Sequence, residues 1–347
     1  MPYFWNAEIA ITLFLQSLAS WLLLPMRAFS FLGQEEFFLL VMPALYWCVD
    51  VGIGFRSGAV LLLGTNLNCI LKSAFHAPRP FWYSPQVKAL STETTFGFPS
   101  NHAETAAGVW GWLAARIRRA WAWWLAGVVI LAVGVSRIYL GMHFTSDVIA
   151  GWLLGIATVI LLLVVDRPLS AWLARRSFWQ LAGLGLASGA LLVAGQVAVN
   201  QAVSTLPFPL QWVVNAGNAL PQALPNPLAL STTLDTAGLW FGLCVGAAWL
   251  KQRGGMDASG TAALRVERYL LGMAGVGVLY LGLSSIFPHT DDLLGNALRC
   301  LRYSLVGFWV SGGAPLLFLR LELAKSRPAV EIQPAPGELA AEINSEA

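Results

Sequence analysis

The chain has 347 residues, 57% of them hydrophobic and only 11% charged, with a formal net charge of +3. A soluble globule would carry about a quarter charged residues, so an ordinary soluble domain is excluded and no nucleic-acid partner is expected. The four cysteines (Cys48, Cys69, Cys244, Cys300) lie singly in or beside apolar runs. Their spacing suggests neither a metal site nor a disulfide framework, and they read as small packing residues.

Spanning a bilayer takes about 20 mostly apolar residues. Taken in chain order, candidate stretches run at roughly 8–25, 36–54, 57–75, 101–115, 121–140, 145–165, 178–199, 235–250, 269–287 and 303–321. The expected fold is therefore all-α, a polytopic transmembrane helical bundle of about ten spans. The opening "MPYFWNAE" lacks a basic n-region, so no cleaved signal peptide is expected. With ten spans and both termini on one side, 14 Lys and Arg residues fall on that side and 7 on the other. The positive-inside rule then predicts cytoplasmic termini and an exterior or periplasmic face for the sparse side. A bacterial inner membrane fits the compact loops.

The chain divides into N-terminal helices (1–53), a segment holding nearly all the polar clusters (54–166), C-terminal helices with no evident role (167–325) and a tail (326–347). Residues 177–234 carry no charge. Their second half is rich in Pro, Asn and Gly, which break helices, and it is expected at the outer interface or as a short re-entrant element. The Pro-, Ala- and Glu-rich tail is expected to be disordered in the cytoplasm. No internal repeat is evident.

Three polar clusters fall on the predicted outer side. "KSAFHAPRP" carries Lys72 and Arg79; "FPSNHAE" carries Ser100, Asn101 and His102; "SRIYLGMHFTSD" carries Ser136, Arg137, His143 and Asp147. The loop between the first two clusters is short, so these helix ends can meet. Arginine forks suit phosphate oxygens, and the N–H groups that open a helix after Pro99 also point at an anion. Asn101 with Glu104 resembles a capping arrangement. If His143 begins a helix, Asp147 lies one turn on. A carboxylate on one ring nitrogen leaves the other free as a nucleophile, and His102, on another helix, could protonate a departing alkoxide. Such a site for phosphoryl transfer needs no metal and no cofactor.

These clusters resemble the three-part signature of the type 2 phosphatidic acid phosphatase superfamily. Lys72 is followed by six residues and Arg79-Pro80. Pro99-Ser100-Asn101-His102 forms the second part. Ser136-Arg137, five residues, His143, three residues and Asp147 form the third. The match covers roughly residues 57–165. Asn101 stands where the pattern usually has Gly. The third part is also similar to that of sphingosine-phosphate phosphatases.

The resemblance implies a six-helix phosphatase core and a phosphohistidine intermediate. His143 would be the nucleophile, Asp147 its partner and His102 the general acid. Lys72, Arg79, Ser100, Asn101 and Arg137 would bind phosphate. The implied partners are a lipid phosphate substrate and the surrounding membrane lipids. The implied activity is hydrolysis of a lipid phosphomonoester or pyrophosphate at the outer face. The same constellation would serve a phosphotransferase, and a lipid transporter is the alternative of another class. Among lesser residues, Glu104 and Asp235 are expected to cap helices. His76 is expected at the surface, and His289, Asp291 and Asp292 are expected in a solvated loop.

Overall fold

The computed structural model describes residues 2–326 apart from His289 and Asp291. Those two residues and the tail beyond 326 lie outside the described residues. Among the described residues the regular elements are helices, with one isolated bridge between Asp257 and Lys325. The helices are α1 (Pro2–Ser17), α2 (Leu23–Phe31), α3 (Glu35–Cys48), α4 (Val51–Phe75), the short α5 (Pro80–Tyr83), α6 (101–117, with a π-turn at Ala106–Trp110), α7 (Ala120–Tyr139) and α8 (Thr145–Ala174). After these come α9 (Phe178–Val203), α10 (Leu210–Ala219), α11 (Ser231–Gln252), α12 (Ala262–Ile286) and α13 (293–320).

Six of these segments are long and apolar enough to cross a membrane: α4 extended through α5, α7, α8, α9, α11 and α12. A seventh arises only if α1 and α2, bent by 100° at the break between them, count as one span. The expectation of about ten spans is not reached by this measure. The predicted span 36–54 is interrupted, because Asp50 accepts a hydrogen bond from Ile53 N–H (2.9 Å) and opens a new helix. That leaves α3 with 14 residues, about 21 Å at 1.5 Å per residue.

The predicted span 8–25 is replaced by α1, held against one end of the bundle, and by α2, which is bent by 100° from α1 and packs along α7. Glu8, midway along α1, accepts hydrogen bonds from Ser146 N–H (2.8 Å) and Ser146 O–H (3.0 Å) at the start of α8. Gln16, near its end, donates to Tyr139 O (3.0 Å) at the close of α7. Both contacts belong to one end of the molecule. The chain leaves by the other end, where Asp257 N–H donates to Lys325 O (2.9 Å) and Lys251 Nζ donates to Ala174 O (2.8 Å) at the foot of α8. Residues 8–16 therefore lie at one end and residues 325–326 at the other, against the expectation that the two ends of the chain share a side.

Small residues decide how closely these helices approach. In lipid the hydrophobic effect does not drive helices together, so contact depends on packing and polar bonds. Gly151 and Gly155, four apart on α8, let α6 lie against it; a methyl at Gly155 would sit 2.5 Å from Glu104 O. Gly238, Gly242 and Gly246 do the same for α11 against the backbone of α13. Trp47 Nε1–H donates to Val310 O (2.7 Å) and Tyr46 O–H to Ser311 O (3.0 Å), tying α3 to α13. The uncharged connector 204–230 contains α10. Asn215 of α10 donates to Trp82 O (2.9 Å) in α5, and Phe208 packs on Trp82 and Phe96.

Two expected caps are absent. Asp235 lies one turn inside α11, 3.5 Å from Arg299. Glu104 is buried against Gly64 of α4, and the cap of α6 is Ser100, whose Oγ accepts from Ala103 N–H. In each case the helix begins four residues or so upstream of the acid, too far for its side chain to reach the free N–H groups. Asp292 does cap, accepting from Gly295 N–H (2.7 Å) at the start of α13, as Asp50 does for α4.

Candidate active site

The end of α4, the start of α6, the end of α7 and the start of α8 converge with the loop 84–100. α8 begins two residues after His143, and its first turn sets the geometry there. Asp147 Oδ2 accepts from Phe144 N–H (2.9 Å) and lies 3.3 Å from His143 Nδ1. The other ring nitrogen, Nε2, is 3.2 Å from Arg79 Nη1. A guanidinium can only donate, so Nε2 accepts there and the ring proton belongs on Nδ1, facing the carboxylate. His143 and Asp147 are 1% and 2% exposed. Burial above all, and then Arg79, Lys72 and Arg137, hold the His143 pKa well below its ordinary value. The ring is thus neutral, with its Nε2 lone pair turned into a cluster of cations.

Those cations come from three elements. Arg79, at the mouth of α5, is fully buried and donates to Met142 O (3.0 Å), Phe96 O (3.1 Å) and Thr95 O (2.5 Å). Arg137, in the last turn of α7, is also fully buried, and its Nη1 donates to Ser30 Oγ (2.8 Å) of α2. Lys72, in the last turn of α4, donates to Phe96 O (2.6 Å). Ser100 N–H donates to Asp147 O (2.9 Å), which stitches the start of α6 to the start of α8. The structure therefore brings Lys72, Arg79, Ser100, Arg137, His143 and Asp147 together. Asn101 Oδ1 and His102 Nε2, in the first turn of α6, are buried without a partner among the described residues.

His102 joins the cluster through a residue that the motifs do not include. Glu93 Oε1 is 2.6 Å from Arg137 Nη2 and 3.8 Å from His102 Nδ1, while Oε2 is 3.2 Å from Arg79 Nη2. Burial alone would raise this carboxyl, but Arg79 and Arg137, helped by His102 and Lys72, hold its pKa down to about 2. A lone acid in "STETTF", between two basic and histidine-bearing clusters, is the only signal the sequence offers for it. It does not specify which cations the acid meets. Glu8 carries no signal of its own either; its hold on Ser146 fixes the first turn of α8 from outside. His76 is not a plain surface residue: its ring packs 4.2 Å from that of Phe96, centroid to centroid.

Residues 53–170, which contain this whole constellation, match the PAP2 superfamily, and residues 234–326 match the PAP2 superfamily phosphatase transmembrane extension. Phosphatidylglycerophosphatase B of Bacillus subtilis is 31% identical, over 43% of this chain and 77% of that protein. The chain belongs to the PAP2 superfamily. It is an integral membrane phosphatase of that superfamily.

Glucose-6-phosphatase 3 of Bos taurus is 30% identical over 60% of this chain and 65% of the bovine protein. A probable sphingosine-1-phosphate phosphatase of Dictyostelium discoideum is 31% identical over 38% of this chain but only 35% of its own length. The crystal structure of a transmembrane PAP2 type phosphatidylglycerolphosphate phosphatase from Bacillus subtilis is 26% identical. It covers 47% of this chain and 86% of its own, with a TM-score of 0.42. The connector 204–230 falls between the two family matches.

Proposed function

We propose that this PAP2 protein hydrolyses a lipid phosphomonoester or pyrophosphate through a phosphohistidine. The observation that carries this reading is His143: Asp147 holds one ring nitrogen while the other is aimed among Arg79, Lys72 and Arg137. Nε2 attacks phosphorus as the bond to the leaving oxygen breaks, and His102 gives that oxygen a proton. Water then attacks phosphorus, His102 takes a proton from it, and the phosphorus–nitrogen bond breaks to free orthophosphate. The cations stabilise the charge that builds on the equatorial oxygens. Relatives named for phosphatidylglycerophosphate and sphingosine 1-phosphate support a lipid substrate.

The test is phosphate release by the detergent-solubilised protein over a panel of lipid phosphates. Among the described residues no group of three or more His, Cys, Asp or Glu is placed to hold a metal ion, so release is expected to survive EDTA. Vanadate, which imitates five-coordinate phosphorus beside His143, is expected to inhibit. Loss in EDTA with recovery in Mg²⁺ or Zn²⁺ would overturn the metal-free reaction. No release from any lipid phosphate would overturn the hydrolase.

The site end is assigned to the cell exterior or periplasm of a bacterial inner membrane. The opposite end carries Arg116 in the last turn of α6, Arg118 and Arg119 after it, and Arg175 and Arg176 after α8, which favours the cytoplasm for that end and for the end of α13. Single cysteines at Gln86 and Arg119, both exposed, in a background without the four native cysteines, report this directly. An impermeant thiol reagent on intact cells is expected to label position 86 and not 119. The reverse pattern would put the chemistry on the cytoplasmic face.

A further inference from the structure

The guanidinium pair of the site is already occupied. Glu93 lays one carboxylate oxygen on Arg79 and the other on Arg137, at 3.2 and 2.6 Å, as two oxygens of a phosphate would. Both arginines are fully buried, whereas the Glu93 side chain remains 22% exposed. The carboxylate therefore closes the cation cluster from its open side. Two buried guanidinia cannot stand uncompensated without a large penalty, so an anion must be present whether or not substrate is bound.

Glu93 is mounted so that its side chain can leave while its backbone stays. The next residue, Thr94, accepts a hydrogen bond on its carbonyl from Asn226 N–H (2.9 Å) in the connector. Thr95 O and Phe96 O are held by Arg79, and Phe96 O also by Lys72. Upstream, Leu90 N–H donates to Leu140 O (3.0 Å). With the chain pinned on both sides, rotation about the three side-chain torsions is enough to withdraw the carboxylate towards water. Phe208 of the same connector packs against Phe96, so the segment joining α9 to α11 holds the loop that carries Glu93.

We propose that Glu93 is the resident anion of the phosphate cradle: its carboxylate bridges Arg79 and Arg137 in the empty site, yields them to the substrate phosphate, and returns to displace the orthophosphate product. This rests on the cradle reading given above. A tethered competitor acts at high effective concentration, so it weakens every phosphate-like ligand of the cradle, and most consequentially the product. The carboxyl is kept ionised by the same arginines, which makes the exchange one anion for another with no proton taken up. The connector acquires a function by this route, because Asn226 fixes the residue next to the gate.

The experiment measures orthophosphate and vanadate binding to the full-length, detergent-solubilised protein by calorimetry, with no lipid substrate present. Glu93→Gln is expected to bind both anions about ten- to a hundredfold more tightly than the native chain, the size of a lost charge-assisted competitor. Glu93→Asp, charged but one methylene too short to bridge both arginines, is expected in between. With p-nitrophenyl phosphate, Glu93→Gln should lower KM and kcat together, since the product leaves slowly; a merely structural role would not lower KM. If Glu93→Gln folds poorly, orthophosphate should restore its Tm by more than it raises that of the native protein. Unchanged or weaker anion binding in Glu93→Gln, or a Tm loss that phosphate does not relieve, overturns the proposal. Failure of the native protein and both variants to bind either anion would instead overturn the phosphate cradle, and the gate with it.

Discussion

His143→Ala is expected to lose phosphate release by about 10⁴-fold or more with every substrate, because the covalent step itself disappears. The size follows from the geometry. Asp147 and Arg79 jointly orient the ring, at 3.3 and 3.2 Å from its two nitrogens, and leave Nε2 facing the cations. Alanine removes the attacking lone pair and leaves the cradle intact. Vanadate binding through the cations should persist in part, while ³²P from a labelled substrate should not remain on the denatured protein. The measurement is acid-quenched or alkali-quenched labelling of the variant beside the native chain, with phosphoramidate stability as the signature of a histidine adduct. A labelled His143→Ala protein would remove His143 from the nucleophile's role.

His102→Ala is expected to separate substrates by leaving group. His102 Nε2 is buried and unpartnered among the described residues, and Nδ1 stands 3.8 Å from Glu93, so Nε2 is the nitrogen available to a departing oxygen. General acid help is worth about 10²–10⁴-fold when the leaving group is a poor one, such as a lipid alkoxide. It matters far less for p-nitrophenolate or for a lipid monophosphate expelled from a pyrophosphate. The variant should therefore be crippled on phosphatidic acid and keep a larger fraction of its p-nitrophenyl phosphate activity. It should also accumulate phosphoenzyme with the activated substrates, since His102 is needed again to activate water. Equal losses across all leaving groups would show that His102 shapes the pocket instead.

The two histidines are legible in the amino-acid sequence because their chemistry is local along the chain. His143 and Asp147 are four apart where α8 begins, and Asp147, reaching back to Phe144 N–H, brings its carboxylate beside the ring. Lys72 and Arg79 bracket one helix end, Ser136 and Arg137 another, and short connections force those ends together. Glu93 is not legible in the same way. It sits in the irregular loop 84–100, and its meeting with Arg137, 44 residues on, depends on α7 returning beside that loop. The Asn226 contact spans a still greater separation.

Composition and apolar runs were enough to determine that the chain is helical and lies in a membrane, since a chain this apolar must satisfy its backbone groups within hydrocarbon. The spaced Lys, Arg, His and Asp were enough to determine the family. The tertiary structure alone decided where the apolar runs bend and break. The run 8–25 is as hydrophobic as a span, yet α1 is pinned at Glu8 and Gln16 to the site end, and the run 36–54 is cut by the cap at Asp50. Hydropathy scores each segment as if it were alone, whereas a polar bond to another helix end can hold an apolar helix at the interface. The occupant of the cradle was decided the same way: which carboxylate settles two buried arginines depends on distance in space, which sequence spacing does not encode for a loop.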